Sequence, residues 1–297
     1  MTRRGILLYV LCGFAWGIPF YLVDIIVQDL GPAVTVFSRM AVGAIVLLPI
    51  ALHLGVLGVA FANVRWVLLF AVLQLAVPWW LVASAQQHLE SGMTSLLMTA
   101  IPMFNILISQ IGGTKEAVSG RRLVGLISGV SGVALLVLID HGAGRIDLTA
   151  VLVVLLATCG YAIAPRIVGA QLSHVPSLGA VTVALTLSAV IWMAPAALDW
   201  PTVLPSGRVL LAIATLGVVC TAIAFITFFE LIKEIGPTRT SFLAFVNPAV
   251  AVLVGVFIGS EDFTAGMAIG IPLILLGTYL AVVVPRENVS EVTELAR

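Results

Sequence analysis

Apolar residues fill this chain in runs of about twenty, and polar residues collect in the gaps between them. A helix needs roughly 20 predominantly apolar residues to cross a bilayer. On that measure the pattern predicts ten spans, near 5–26, 32–54, 63–84, 91–111, 122–140, 148–170, 176–196, 207–231, 238–259 and 266–284. The gaps are too short for a soluble domain, and "PRENVSEVTELAR" closes the chain as a polar tail predicted to fray. The expected fold class is an all-α polytopic membrane protein with ten transmembrane helices.

Composition excludes the soluble alternative. Of the 297 residues, 61% are hydrophobic and 9% charged, against about 25% charged in a soluble domain. A water-facing surface needs more polar cover than this, so lipid must be the main solvent. Cys12, Cys159 and Cys220 all lie within apolar runs, an odd number that argues against a disulfide framework. They read as small packing residues. No Cys/His cluster has metal spacing, and no cofactor is implied. The opening "MTRRGILLYVLCGFA" has the basic start of a secretory signal in Arg3 and Arg4. Its apolar run continues for about 20 residues and more spans follow, so it reads as an uncleaved first helix.

Charge then sets orientation, because Lys and Arg favour cytoplasmic loops. With the N-terminus inside, the inner segments hold Arg3, Arg4, Arg65, Lys115, Arg121, Arg122, Arg166, Lys233, Arg239, Arg286 and Arg297. The outer loops hold only Arg145 and Arg208, and Arg39 lies within a span. Both termini are therefore expected in the cytoplasm, across a bacterial-type inner membrane. Acids lean outward, with Asp24, Asp29, Glu90, Asp140, Asp147, Asp199, Glu261 and Asp262 on that side. That is either a mouth that attracts cations or a by-product of sorting the bases, since acids carry little topological information.

The chain also repeats itself. CGFA at 12–15 recurs as CGYA at 159–162, and AVTV at 33–36 recurs at 180–183, both displaced by 147 positions. At a displacement of 146, Thr94 meets Thr240, Ser95 meets Ser241, Pro102 meets Pro248, Gly113 meets Gly259 and Glu116 meets Asp262. Each half holds five spans, an odd number, so the second half must enter from the opposite side. The expectation is two inverted-topology five-helix repeats, at 1–141 and 148–285, joined by a linker at 142–147 and followed by a cytoplasmic tail at 286–297. Two similar units placed upside down give two conformations of similar energy around a midplane site, the architecture of many secondary transporters.

At this point the sequence resembles the EamA-type drug/metabolite transporters. The likeness is carried by "AWG" at 15–17, by "FSRMAVGAI" with Arg39, and by the glycine-acid turns "GTKEAVSG" and "GSEDFTAG". These turns lead into "VGLISGVSGV" and "IGIPLILLGTYL". The resemblance implies a central cavity between the halves, export of amino acids or other small metabolites, and peripheral fifth and tenth helices. The first turn departs from the pattern, with Lys115 before Glu116. Related small multidrug exporters carry a central glutamate in their first helix; here "GFAWG" stands there. The spans thus offer no midplane carboxylate for proton coupling.

Polar groups within lipid are costly, which makes each one a functional candidate. Arg39 lies about seven residues into its span, roughly 10 Å along the helix. It reads as an anion or gate residue, or as one that snorkels or pairs with Asp24 to lock the first two helices. Gln74, Trp79, Trp80 and Asn105 are candidate substrate contacts, together with Trp16 and Tyr161 in or beside the repeated word. Adjacent Trp79 and Trp80 point about 100° apart on a helix, so both are not expected on one cavity, and an interfacial belt is the alternative for one of them. Asn247 either binds substrate or satisfies the backbone that Pro248 breaks. Pro102 and Pro248 are candidate hinges, because proline removes a helical hydrogen bond. Gly125 and Gly129, spaced as GxxxG, permit close helix contact within the monomer or across a dimer.

The reading that follows is a secondary transporter of small organic solutes, not an enzyme, working by alternating access. Its partners are a small-molecule substrate and the bilayer, not nucleic acid, and it is a monomer or a homodimer. An intramembrane enzyme would need a nucleophile with a base or a metal cluster, and His53, His88, His141 and His174 all lie near helix ends or in loops. A membrane sensor or scaffold usually adds a soluble output domain, for which these loops are too short. No GxSxG, HExxH or Walker A pattern is present.

Overall fold

A computed structural model describes residues 2–111, 120–142, 144, 147–236, 240 and 243–282. Every regular element among them is helical. In chain order they are α1 (Arg3–Gly17), α2 (Pro19–His53), α3 (Leu57–Ala62) and α4 (Val64–Ala71). A π-helical segment, Val72–Ala76, joins α4 to α5 (Val77–Ala85). Then come α6 (Ser91–Met98), α7 (Ile101–Ile111), α8 (Gly120–Gly142), α9 (Leu148–Gln171) and α10 (Ser177–Leu198). A second π segment, Thr215–Ile223, joins α11 (Gly207–Ala214) to α12 (Ala224–Ile235), followed by α13 (Leu243–Phe257) and α14 (Ala265–Val282). The tail at 286–297 and most of the first glycine-acid turn, with Glu116, lie outside the described residues.

Among the described residues, six stretches are long and apolar enough to cross a membrane: Arg3–His53, Val64–Ala85, Leu123–Gly142, Leu148–Gln171, Ser177–Leu198 and Gly207–Ile235. Val246–Phe257 and Ala265–Leu280 are shorter apolar helices. The first stretch folds back on itself at Gly31, whose φ of 72° lies in the left-handed region open to glycine. Pro32 starts the returning arm, and Thr35 Oγ1 donates to the Gly31 carbonyl at 2.6 Å. The first arm thus runs to Leu30, past the residue-26 edge read from hydropathy. Large apolar side chains such as Ile45, Leu138, Leu211 and Phe257 point outward. In water they would form a sticky surface; around a bundle of apolar helices they are the lipid-facing coat. The chain is an all-helical, polytopic integral membrane protein.

Packing couples the two halves of the chain rather than separating them. The α1 helix lies on α12 and α13, and α9 lies correspondingly on α5 and α7. The returning arm of α2 packs on α10 and on the second π segment, while α10 packs on α2, α4 and the first π segment. The α6 helix meets α13, and α8 runs along α14.

That last pair is held by glycine. A Cβ on Gly277 would stand 2.6 Å from the Gly129 Cα and 2.7 Å from the Gly125 carbonyl oxygen, and one on Gly132 would stand 2.9 Å from the Ile274 nitrogen. Backbone meets backbone here, so no side chain can yield. The Gly125–Gly129 spacing is therefore occupied within the chain. Ser128 Oγ adds a hydrogen bond to the Leu273 carbonyl at 3.0 Å. Gly277→Leu is expected to cost about 1–3 kcal/mol or more through overpacking. Gly169→Ala, with open space around its Cβ, should be neutral or better. Thermal melts of the two purified variants check this, and equal melting temperatures would refute it.

Carboxylates seal two helix starts. Asp140, 1% exposed at the end of α8, accepts from Thr264 Oγ1 at 2.7 Å and from the Gly266 amide at 3.2 Å, capping α14. Glu261 accepts from the Ser91 amide at 3.0 Å, from Ser91 Oγ at 2.5 Å and from the Gly92 amide at 2.9 Å, capping α6 from across the fold. Both place negative charge where unpaired amides and the helix dipole favour it. Asp147 caps α9 locally, and the amide hydrogen bond from Thr149 holds its carboxyl below the usual carboxylate range.

Candidate functional site

A cavity of about 730 Å³ runs through the bundle, bounded by helices of both halves. That volume suits a small organic solute. At one end it reaches exposed Ser173 in the α9–α10 loop and exposed Ser177 at the start of α10. At the other it stops beneath Phe20 and Gln86. There Gln86 Nε2 donates to the Phe20 carbonyl at 2.7 Å, and Gln28 Nε2 donates to the Gln86 carbonyl at 3.1 Å.

Arg39, on the returning arm of α2, projects into this cavity. Its guanidinium carbon lies 3.6 Å from the centroid of the Trp79 ring, a cation–π contact. Its Nε donates to Thr221 Oγ1 at 3.1 Å. Thr221 in turn donates to the Leu216 carbonyl five residues back, at 2.8 Å, within the second π segment. Close helix approach makes this possible. Gly43, one turn beyond Arg39 on the same face, leaves the space into which Thr221 fits, for a Cβ there would stand 2.8 Å from Thr221 Cγ2. Tyr161 on α9 completes the group, beside both Arg39 and Trp79. Gln74 lies in the first π segment and also lines the cavity. Such segments re-aim side chains and recur at functional sites.

Aromatic rings form one wall. Trp16 packs on Phe228 at 4.6 Å between ring centroids and edge-on to Phe225 at 5.8 Å, and Phe229 stacks beyond them. Amides face the same space. Gln74, Gln86 and Asn247 line the cavity, and their side-chain oxygens are buried without a hydrogen-bond partner among the described residues. The α1 helix fixes Asn247 beside Trp16: a Cβ on Gly17 would stand 3.1 Å from the Asn247 carbonyl oxygen.

Sequence reading missed the three phenylalanines of α12 and Gln86. An i, i+3, i+4 aromatic face, "FITFF", was the available signal for the first; Gln86, at a helix end, left none.

Three expected positions fall elsewhere. Trp80 is off the cavity, stacked on Trp192 at 5.4 Å and 22° between α5 and α10. Trp79 takes the cavity side, because one residue of helix turns the side chain by about 100°. Asn105 is also off the lining; its backbone carbonyl accepts from Arg166 Nη2 at 2.7 Å, tying α7 to α9. Asp24 does not pair with Arg39. It lines a separate cavity of about 330 Å³ with Gln28, Asp29, Ser206 and Arg208. Asp24 and Arg39 stand at similar distances along their arms from Gly31, so the faces they occupy, not their depths, keep them apart. Trp80→Leu is expected to cost about 1–3 kcal/mol of stability, with solute affinity unchanged within twofold. Trp16→Ala is expected to lower solute affinity as well as the melting temperature, because its ring both lines the cavity and packs on Phe228. Melting curves beside binding titrations distinguish the two variants.

The two prolines line the cavity but sit differently. Pro102 is the second residue of α7, after a turn in which the Thr99 and Ala100 amides donate three residues back. Pro248 lies inside the unbroken α13. Proline at a helix start costs no hydrogen bond, whereas an internal one does.

The EamA-like transporter family matches residues 3–138 and again residues 148–283. The chain is 25% identical over 279 residues to the "uncharacterized inner membrane transporter YedA" of Escherichia coli K12, covering 89% of this chain and 88% of that protein. The same identity and coverage hold for YedA of Escherichia coli O157:H7. A crystal structure 19% identical in sequence superposes with a TM-score of 0.65, covering 95% of this chain and 97% of that one, a likeness of fold. The chain belongs to the EamA-like transporter family.

Proposed function

We propose that this member of the EamA-like transporter family is a secondary transporter that exports small organic solutes, amino acids or related metabolites, by alternating access. The observation that carries the reading is the cavity itself: an aromatic wall, three amide-bearing residues and one guanidinium line it from both halves of the chain. Aromatic walls accept an apolar body, and the free acceptors receive amino or hydroxyl donors.

The ten-span, inverted-repeat organisation, with units at 1–141 and 148–285, belongs to the same proposal. The two family matches at 3–138 and 148–283 support it. So does the recurrence of the π segment: residues 72–76 moved on by 147 fall at 219–223, within Thr215–Ile223. The reciprocal packing of α1 on α12 and α13, and of α9 on α5 and α7, has the same meaning. The likeness to YedA, an inner membrane transporter, favours a bacterial inner membrane, and the distribution of Lys and Arg favours both termini in the cytoplasm. In that orientation the mouth at Ser173 and Ser177 opens inward, the loading state of an exporter. The Gln86 end is closed by Glu261 and by the Gln28–Gln86–Phe20 hydrogen bonds. Pro248, inside α13, and the helix break that Pro102 follows before α7 are the proposed hinges.

Counterflow in proteoliposomes tests the reading. Loading with one amino acid should drive saturable uptake of its labelled form, abolished when Trp16 is replaced by alanine. Flux no greater than in empty liposomes for amino acids, organic acids and cationic drugs alike would overturn it.

A further inference from the structure

We propose that Arg39 is the receptor for a carboxylate on the solute, and that the cavity rejects organic cations. The inference rests on the transport reading and names the charge class of its substrate. Three observations carry it.

Arg39 is the one charged residue among the described lining residues, with no Asp, Glu or Lys beside it on the cavity wall. Nor does it find an anion by reaching elsewhere: Thr221 is its hydrogen-bond partner and Trp79 lies against its face. Both contacts leave the positive charge standing. A charge held within a membrane bundle without a counter-ion is costly, and the ordinary remedy is a partner of opposite sign. Among the described residues the bundle supplies none, so a ligand must.

The second observation is geometric. Nε is committed to Thr221, and no hydrogen bond is made by the two Nη groups among the described residues. Thr221 and Trp79 thus hold the guanidinium plane by its base and one face, leaving the outer fork for a planar two-oxygen acceptor. That is the geometry of bidentate carboxylate binding, which a lysine ammonium does not reproduce.

The third is what surrounds the fork. The aromatic wall of Trp16, Phe225 and Phe228 offers an apolar body a place, which an inorganic anion cannot use. Gln74 Oε1 and Asn247 Oδ1 supply acceptors that suit an amino group without adding negative charge. A solute carrying only an ammonium would meet those acceptors but also the unneutralised guanidinium, and would be repelled.

A matched series decides the matter: 3-phenylpropionate, phenylalanine and phenethylamine carry the same ring with carboxylate only, carboxylate plus ammonium, and ammonium only. Binding is read by calorimetry on the full chain in nanodiscs, and flux by counterflow in proteoliposomes. The first two probes should bind and the third should not. Arg39→Gln should weaken both tenfold or more, with Arg39→Lys recovering part of the loss. Phenethylamine binding as tightly as 3-phenylpropionate, or R39Q binding like wild type, would overturn the proposal. If R39Q does not fold, the wild-type series alone decides. Carboxylate binding without flux would leave the anion site standing and remove the transport reading. Cation flux with no carboxylate binding would do the opposite, and neither binding nor flux would remove both.

Discussion

Glu261→Ala is expected to destabilise the protein by about 3 kcal/mol, since hydrogen bonds to a charged acceptor contribute about 1.5–3 kcal/mol each, and to unseal the cavity at its Gln86 end. One carboxylate serves the Ser91 amide, the Ser91 hydroxyl and the Gly92 amide. Removing it strands two amides at the start of α6 and releases the loop after α13 from that helix. The pocket for this carboxylate is shaped by Gly255, where a Cβ would stand 2.7 Å from the Glu261 Cδ. Water cannot restore the same cap without a shift of backbone. Glu261→Gln should fall between, keeping one acceptor oxygen and losing the charge. The measurement pairs a thermal melt with labelling of Ser95→Cys, a cavity position 1% exposed. A membrane-impermeant maleimide applied from the Glu261 side should react slowly in the parent and several-fold faster beside Glu261→Ala. Unchanged labelling with an unchanged melt would show that Glu261 holds nothing closed.

The helical pattern of this chain was legible because lipid enforces it: every apolar run must satisfy its own backbone, and glycine and proline mark where that stops. Gly31–Pro32 is such a mark, and the fold turns there. What hydropathy could not show is how a helix is broken within a run. The turn at Thr99–Ala100 and the π segments at Val72–Ala76 and Thr215–Ile223 lie in sequence as apolar as their surroundings. They follow from tertiary contact, with Gly217 pressed against Val42 and Gly43 against Thr221.

The candidate site divides on the same line. Depth along a helix is a property of sequence, so Trp16, Arg39, Gln74 and Tyr161 could be read as mid-span residues, and all four line the cavity. Rotation about the helix axis is a property of packing. The choice of Trp79 over Trp80, and of Thr221 over Asp24 as the partner of Arg39, was therefore out of reach. Asn105 failed for the same reason: it has the right depth on α7, but its engaged group is a backbone carbonyl turned toward α9.

Thr221→Val should have an effect approaching that of removing Arg39's charge, although it removes no charge and changes no volume. The Thr221 hydroxyl does two jobs at once. It accepts from Arg39 Nε and donates to the Leu216 carbonyl, which the π geometry leaves five residues away. Valine deletes both side-chain hydrogen bonds together, leaving the guanidinium Nε without an acceptor and held only by the Trp79 face. An unsatisfied buried group costs about 1–3 kcal/mol, equivalent to roughly a five- to 150-fold change in an equilibrium constant. The loss should appear in carboxylate affinity if the guanidinium swings away from the fork position, and in the melting temperature if the π segment reverts to α-helix. Thr221→Ser restores the hydroxyl and should recover both. A purely structural role predicts a lowered melt with 3-phenylpropionate affinity intact. Recovery of affinity by serine, following its loss in the valine variant, is the result that role cannot produce, because only the hydroxyl orients the fork.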